Sequence, residues 1–180
     1  FAANTPSQFE VAMDDLLDKG VKSVIIDVRG NSGGYLSSAE RIASMFLKKN
    51  KTIYQLDTKG LIENVKTKED GKYDLPVAVL IDNGSASASE ILAGALNDNI
   101  DAVLVGMKTF GKGTVQKTKT LSSGAMIKYT IQEWYTPNGN KVNGVGIEPD
   151  YTIQLDEKYF SNPIEANDLQ LQKAVELLKK

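Results

Sequence analysis

Three serines alternate with alanine in Asn83–Glu90 (NGSASASE), between an apolar run and a helical pattern. A serine hydroxyl becomes a nucleophile only when something takes its proton. The chain has no histidine and no cysteine, which excludes a Ser-His-Asp triad, thiolate chemistry and the common zinc sites. A lysine remains as a base, provided its surroundings disfavour the ammonium form, since a free lysine titrates near ~10.4.

Lys112 is the candidate. It stands between two glycines in Phe110–Gln116 (FGKGTVQ), where bare backbone lets it approach a neighbour. Ser-Lys pairs are a known substitute for a histidine base. Gln116, four residues on, can orient the amine. On the serine side, Ser87 to Glu90 fits an S-x-x-E capping box, and Ser85 serves nearly as well as an N-cap, so capping alone accounts for these residues. A serine at a helix start also lies beside free N–H groups and the positive end of the helix dipole. There the N–H of Ala88 can donate to the oxyanion formed when Ser87 attacks a carbonyl. Ser89 points to another face of that helix. Gly33-Gly34 can offer a second donor, although a plain strand-to-helix turn uses the same residues.

Around these residues the pattern predicts helices over Thr5–Lys19, Ser37–Lys48, Ser85–Leu96 and Asp168–Lys179. Thr5 is the expected N-cap of the first, with Gln8 completing a capping box. Strands are expected at Val21–Val28, Thr52–Leu56, Ile62–Thr67, Pro76–Asp82 and Ala102–Gly106. From Thr114 onward the pattern is β, with Met126–Trp134 the longest strand. Alternating strands and helices ahead of a β-rich end give an α/β domain with a largely parallel core sheet, and such sheets place their sites at the carboxyl ends of the strands.

Gly106 to Lys112 matches the first seven places of the phosphate loop G-x-x-x-x-G-K. The eighth, Ser or Thr in that motif, is Gly113, and no helix pattern follows. A net charge of −2 provides no basic footprint for nucleic acid. The longest apolar runs are only a few residues, too short to span a membrane.

Four stretches together resemble the carboxyl-terminal processing, or tail-specific, peptidases: Asp27–Gly34 (DVRGNSGG), Asn83–Leu96, Phe110–Gln116 and Tyr135–Asp150 (YTPNGNKVNGVGIEPD). The first nine residues and Asp168–Leu178 are also similar to that family. The resemblance implies Ser87 as nucleophile, Lys112 as general base, Gln116 as its assistant, and an oxyanion hole from the N–H of Ala88 and that of Gly33 or Gly34. It implies a fold similar to crotonases and Clp-type proteases. It also implies polypeptide substrates bound extended through a C-terminal segment, no metal or other cofactor, and work outside the cytoplasm. Any membrane anchor would lie outside these residues, and self-association is left open. Ser32 stands where the family's loop commonly has proline. Family members usually carry a PDZ-like domain ahead of this region, so residues 1–180 are expected to form the peptidase core alone. A scaffold that binds peptides without cutting them is the competing expectation. A crotonase-like acyl-CoA enzyme ranks last, because it has no evident need for Ser87 together with Lys112. Arg29 is expected to anchor its loop by hydrogen bonds, and Glu90 to cap or brace.

Overall fold

The run Val77–Ile81 (VAVLI) is buried at all five positions, which is why it reads as continuously apolar rather than alternating. It is one strand of a computed structural model that describes residues 1–179. Lys180, the last residue of the expected single domain, lies outside them. Along the chain run α1 (Thr5–Asp18), β1 (Val24–Asp27), α2 (Leu36–Ser44), β2 (Thr52–Thr58), β3 (Leu61–Lys66), β4 (Val77–Ile81) and α3 (Ala88–Ile100). Then follow β5 (Val103–Gly106), β6 (Thr114–Thr120), β7 (Met126–Tyr135), β8 (Tyr151–Thr152), α4 (Glu157–Ser161) and α5 (Leu169–Leu178).

The expected parallel core is present as a four-stranded sheet in the order β1-β4-β5-β8, every pair parallel. Alternate residues of β4 serve its two faces. Val77, Val79 and Ile81 share a core with Ala39 and Ile42 of α2 and Leu92 and Leu96 of α3. Ala78 and Leu80 pack with Val105 against Ala174 of α5. The β-rich part forms a separate antiparallel sheet, β3-β2-β7-β6, in which Leu56 lies opposite Trp134. Helix α3 contacts both sheets. Every residue from Ala88 to Leu96 is buried, as a helix enclosed on all sides requires.

Several boundaries differ from the sequence pattern, each for a local reason. Asn4, not Thr5, caps α1, and no side chain bonds there. The Thr5 hydroxyl instead accepts the N–H of Ala2 at 2.9 Å. Helix α2 stops at Ser44 because the N–H groups of Met45 and Phe46 turn to the carbonyls of Ile42 and Ala43. Helix α3 starts at Ala88 rather than Ser85, since the N–H of Ser85 bonds back to Asp82 and that of Ala86 crosses to Asn31. The sequence pattern missed the two-residue β8, the short α4 and a 3₁₀ turn at Glu165–Asn167.

Arg29 anchors more than its own loop. Its Nη2 lies 2.7 Å from Asp27 Oδ2 and 2.8 Å from Asp168 Oδ2, and its Nη1 donates to Gln170 Oε1 at 2.9 Å. Asp168 also caps α5, accepting the N–H of Leu171 at 2.9 Å. One guanidinium thus joins the end of β1 to the start of α5. Burial opposes both charges. The hydrogen bonds from Arg29 outweigh it at Asp168 and hold that carboxyl below its ordinary range, while those to Asp27 and Asp168 hold the guanidinium above its own.

Arg29→Met leaves Asp168 buried without its cation and should cost about 3 kcal/mol. Thermal unfolding would register this as a fall in Tm of roughly 10 °C. Asp168 is depressed in the folded state. Its contribution is therefore complete above its unfolded value, about pH 4, and is lost as the pH falls through the lower folded value. Asp168→Asn should melt lower than the parent at neutral pH and show a flatter acid limb in Tm against pH.

Candidate active site

The site lies where β1 and β4 end. Asp82, just past β4, accepts the N–H groups of Gly30, Gly84 and Ser85 on Oδ1 at 2.8, 2.9 and 3.0 Å. The hydroxyl of Ser85 donates to the carbonyl of Val28 at 2.8 Å. The carbonyl of Asn31 accepts the N–H of Ala86 at 3.1 Å and the hydroxyl of Ser89 at 2.8 Å. The loops after β1 and β4 are thereby stitched together, and two of the three serines are used in doing it. Ser85 and Ser89 are both 0 % exposed. Ser87 alone is partly exposed, and its hydroxyl donates to no neighbour among the described residues.

Ser87 caps α3 with φ 56° and ψ −116°, a conformation that L side chains rarely adopt. Strain of this kind costs about 1–3 kcal/mol and persists only where the surroundings impose it. Here they do: the N–H of Ser87 is held by Glu90 Oε2 at 2.8 Å, closing the capping-box link expected from the sequence. The next N–H, that of Ala88, opens the helix and has no partner among the described residues.

The Gly33–Gly34 loop lies directly on this turn. Gly33 has φ +102°, and a Cβ there would sit 2.8 Å from the carbonyl oxygen of Ala86 and 2.9 Å from Ser87 Cβ. The sequence left these two glycines undecided as oxyanion donors. The N–H of Gly33 is taken by Asn31 Oδ1 at 3.0 Å, whereas that of Gly34 has no partner among the described residues. Phe1 runs alongside, its backbone nitrogen donating to the carbonyl of Gly33 at 2.7 Å and its carbonyl accepting the N–H of Tyr35 at 2.8 Å.

The Lys112 loop approaches from the other side. The backbone N–H of Lys112 donates to Glu90 Oε2 at 2.9 Å, and its carbonyl accepts Trp134 Nε1 at 3.0 Å. The side chain is exposed, and its amine bonds to neither Ser87 nor Gln116. Gln116 is an exposed residue of β6 opposite Thr130, beside a break in the ladder at Val115, and its side-chain amide has no partner among the described residues. The structure therefore gathers Ser87, Ala88, Gly33, Gly34 and the backbone of Lys112. Neither the lysine amine nor the Gln116 amide is hydrogen-bonded to this group.

Glu90 does more than a cap does. Its carboxylate is 0 % exposed and also accepts the Thr109 hydroxyl at 2.6 Å and the N–H of Gly111 at 2.7 Å. Thr109 in turn accepts the N–H of Ile147 at 2.7 Å. Glycines allow the loops to close: Gly111 (φ +89°) backs onto Gly146, and a side chain on Gly113 would run into the backbone of Asn143. The capping box announced Glu90 in the sequence, but nothing local announced Thr109 or the 142–147 loop. The phosphate-loop resemblance also ends here. No helix follows Gly106–Lys112, and the N–H groups of Gly111 and Lys112 are occupied by the protein's own carboxylate.

Replacing strain with glycine, and glycine with strain, should have opposite effects. Ser87→Gly should be more stable than Ser87→Ala by about 1 kcal/mol, a rise in melting temperature of roughly 3 °C, because glycine accepts φ 56° freely. Gly33→Ala should lower the melting temperature, since it adds both a positive-φ penalty and a collision with Ala86 and Ser87. Thermal denaturation of the three variants checks both signs.

Comparison with known proteins extends this picture. The chain is 39% identical over 156 residues to a "Probable CtpA-like serine protease" of Staphylococcus haemolyticus, covering 85% of this chain and 32% of that protein. A protein of the same name from Staphylococcus epidermidis is 38% identical over 170 residues, covering 93% and 35%. The chain thus spans about a third of the length of these curated relatives. Among solved structures, the photosystem II D1 C-terminal processing protease superposes with a TM-score of 0.78 at 32% identity, over 86% of this chain and 40% of that one. A lipoprotein from Streptococcus agalactiae shares the fold, with a TM-score of 0.74 at 21% identity over 99% of this chain and 62% of its own. The α/β architecture is accordingly the Clp-protease-like one expected from the sequence. The model of peptidase family S41 matches residues 1–153, and on that match the chain belongs to this family of peptidases.

Proposed function

We propose that this chain is the catalytic core of a serine endopeptidase that cuts polypeptides near their C-terminus through a Ser87–Lys112 dyad. The observation that carries the reading is the different use of the three serines. Ser85 and Ser89 are buried and bonded, while Ser87 is held strained and accessible at a helix start, beside an N–H that has no partner among the described residues. In the proposed reaction the neutral amine of Lys112 takes the proton from Ser87 Oγ, which attacks the scissile carbonyl. The resulting oxyanion is met by the N–H of Ala88 and by that of the Gly33–Gly34 loop, where Gly34 has the unengaged donor. Lys112 then gives its proton to the leaving amine, and water hydrolyses the acyl-enzyme. Gln116 orients the amine once the exposed lysine has swung in.

The substrate would bind as an extended strand, read mainly through its backbone. The Gly33–Tyr35 edge has the groups for this, since it already exchanges two hydrogen bonds with the backbone of Phe1. The names of the relatives and of the D1 C-terminal processing protease support cleavage near a C-terminus. The family resemblance supports work in the cell envelope or another space outside the cytoplasm.

A second reading, a peptide-binding scaffold that keeps the fold, is favoured by one observation: the amine of Lys112 does not bond to Ser87. Cleavage of an unfolded polypeptide by the parent chain, Ser87→Ala and Lys112→Ala separates the two. The dyad predicts a loss of roughly 10⁴-fold or more in kcat for each variant, with the melting curves preserved. Equal cutting by Ser87→Ala removes the assignment. Equal binding by all three chains, with no cutting by any, supports the scaffold.

A further inference from the structure

Nucleophile and base are carried by loops after different strands, and few direct bonds join those loops. At their base the N–H of Met107 bonds to the carbonyl of Ile81 at 2.9 Å, and further out the N–H of Phe110 bonds to the carbonyl of Ser85 at 3.0 Å. Closest to Ser87 and Lys112 the bonds converge on Glu90. Its Oε2 takes the N–H of Ser87 at 2.8 Å and that of Lys112 at 2.9 Å, so the two backbone nitrogens are no further apart than these bonds laid end to end. Its Oε1 takes the Thr109 hydroxyl and the N–H of Gly111. Among the described residues no cation pairs with this carboxylate, and all four of these partners donate to it, so the pocket is built for a carboxylate with two donors on each oxygen.

We propose that Glu90 is the positioning residue that sets the separation of nucleophile and base, with Thr109 linking that setting to the 142–147 loop. The inference rests on the Ser87–Lys112 reading above. Glu90 touches no substrate in this role. It fixes the amides of the two reacting residues themselves, so an error in its position passes directly into the distance between Ser87 Oγ and Lys112 Nζ. A misplacement of about 1 Å is enough to cost roughly 100-fold in rate.

Glu90→Gln keeps the shape but replaces one acceptor oxygen with a donor facing donors. Thr109→Val removes the hydroxyl at nearly constant volume, and Thr109→Ser restores it. The measurement is the rate at which a fluorophosphonate labels Ser87, followed against pH together with the melting temperature, in these variants, the parent chain and Lys112→Ala. The parent should rise to a plateau as its base titrates. Glu90→Gln should be labelled roughly 100-fold more slowly and, like Lys112→Ala, should follow hydroxide without a plateau. Thr109→Val should fall about tenfold and Thr109→Ser should recover, a contrast that carries the test alone if Glu90→Gln does not fold. Parent-like rates and profiles in Thr109→Val, and in Glu90→Gln where it folds, beside a slow Lys112→Ala, overturn the positioning role and leave the dyad standing. A parent chain that is not labelled, or a Lys112→Ala with the parent's profile, overturns the dyad and this inference with it.

Discussion

The carboxylate of Glu90, buried in the first turn of α3, decides how that helix faces the loop ahead of β6. Much of the site follows from an excess it helps to absorb. Strand ends and helix starts leave N–H groups without carbonyl partners. At the tip of this sheet two carboxylates collect them. Asp82 takes those of Gly30, Gly84 and Ser85, and Glu90 takes those of Ser87, Gly111 and Lys112. Among the described residues the N–H groups of Ala88 and Gly34 are not taken up in this way. Donors left unpaired by the fold are the ones an anionic group can use.

Rigidity comes from beneath. A helix buried along its first nine residues and wedged between two sheets cannot tilt without disturbing both. That enclosure is what allows Ser87 to stay at a positive φ. Glycines supply the remaining closeness, at Gly33 against Ser87 and at Gly111 against Gly146. The site is therefore assembled from backbone contacts more than from side-chain packing. Side chains enter mainly as acceptors that pull loops inward.

Local chemistry was legible where it was short-range. The continuous run Val77–Ile81 announced a strand buried on both faces, the S-x-x-E spacing announced the Ser87–Glu90 cap, and FGKG announced a loop of close approach. What could not be read was long-range pairing. Nothing near Leu56 signals that it lies opposite Trp134, so the separate antiparallel sheet went unanticipated. Nothing near Arg29 signals Asp168, although its role as an anchor was expected. Glu90 was readable as a cap but not as a clamp, because its other partners lie 19 to 22 residues on. Two-residue β8 is set by its pairing with β5, and five-residue α4 by the Asp156 cap, and both are too short to carry a periodicity of their own.

The bracing of the Lys112 loop has a consequence for the order of events during synthesis. Trp134 holds the carbonyl of Lys112, and Ile147 holds Thr109. Both lie far downstream of Ser87 and must return across the chain, Trp134 by pairing with Leu56. Contacts of such sequence separation form late, after the loops they close have been ordered. A nascent chain that has just exposed its serine stretch therefore lacks the supports on which the lysine loop depends. The fold around Ser87 and Lys112 is complete only with the whole domain, and a half-made molecule carries both residues without the frame that holds their backbones.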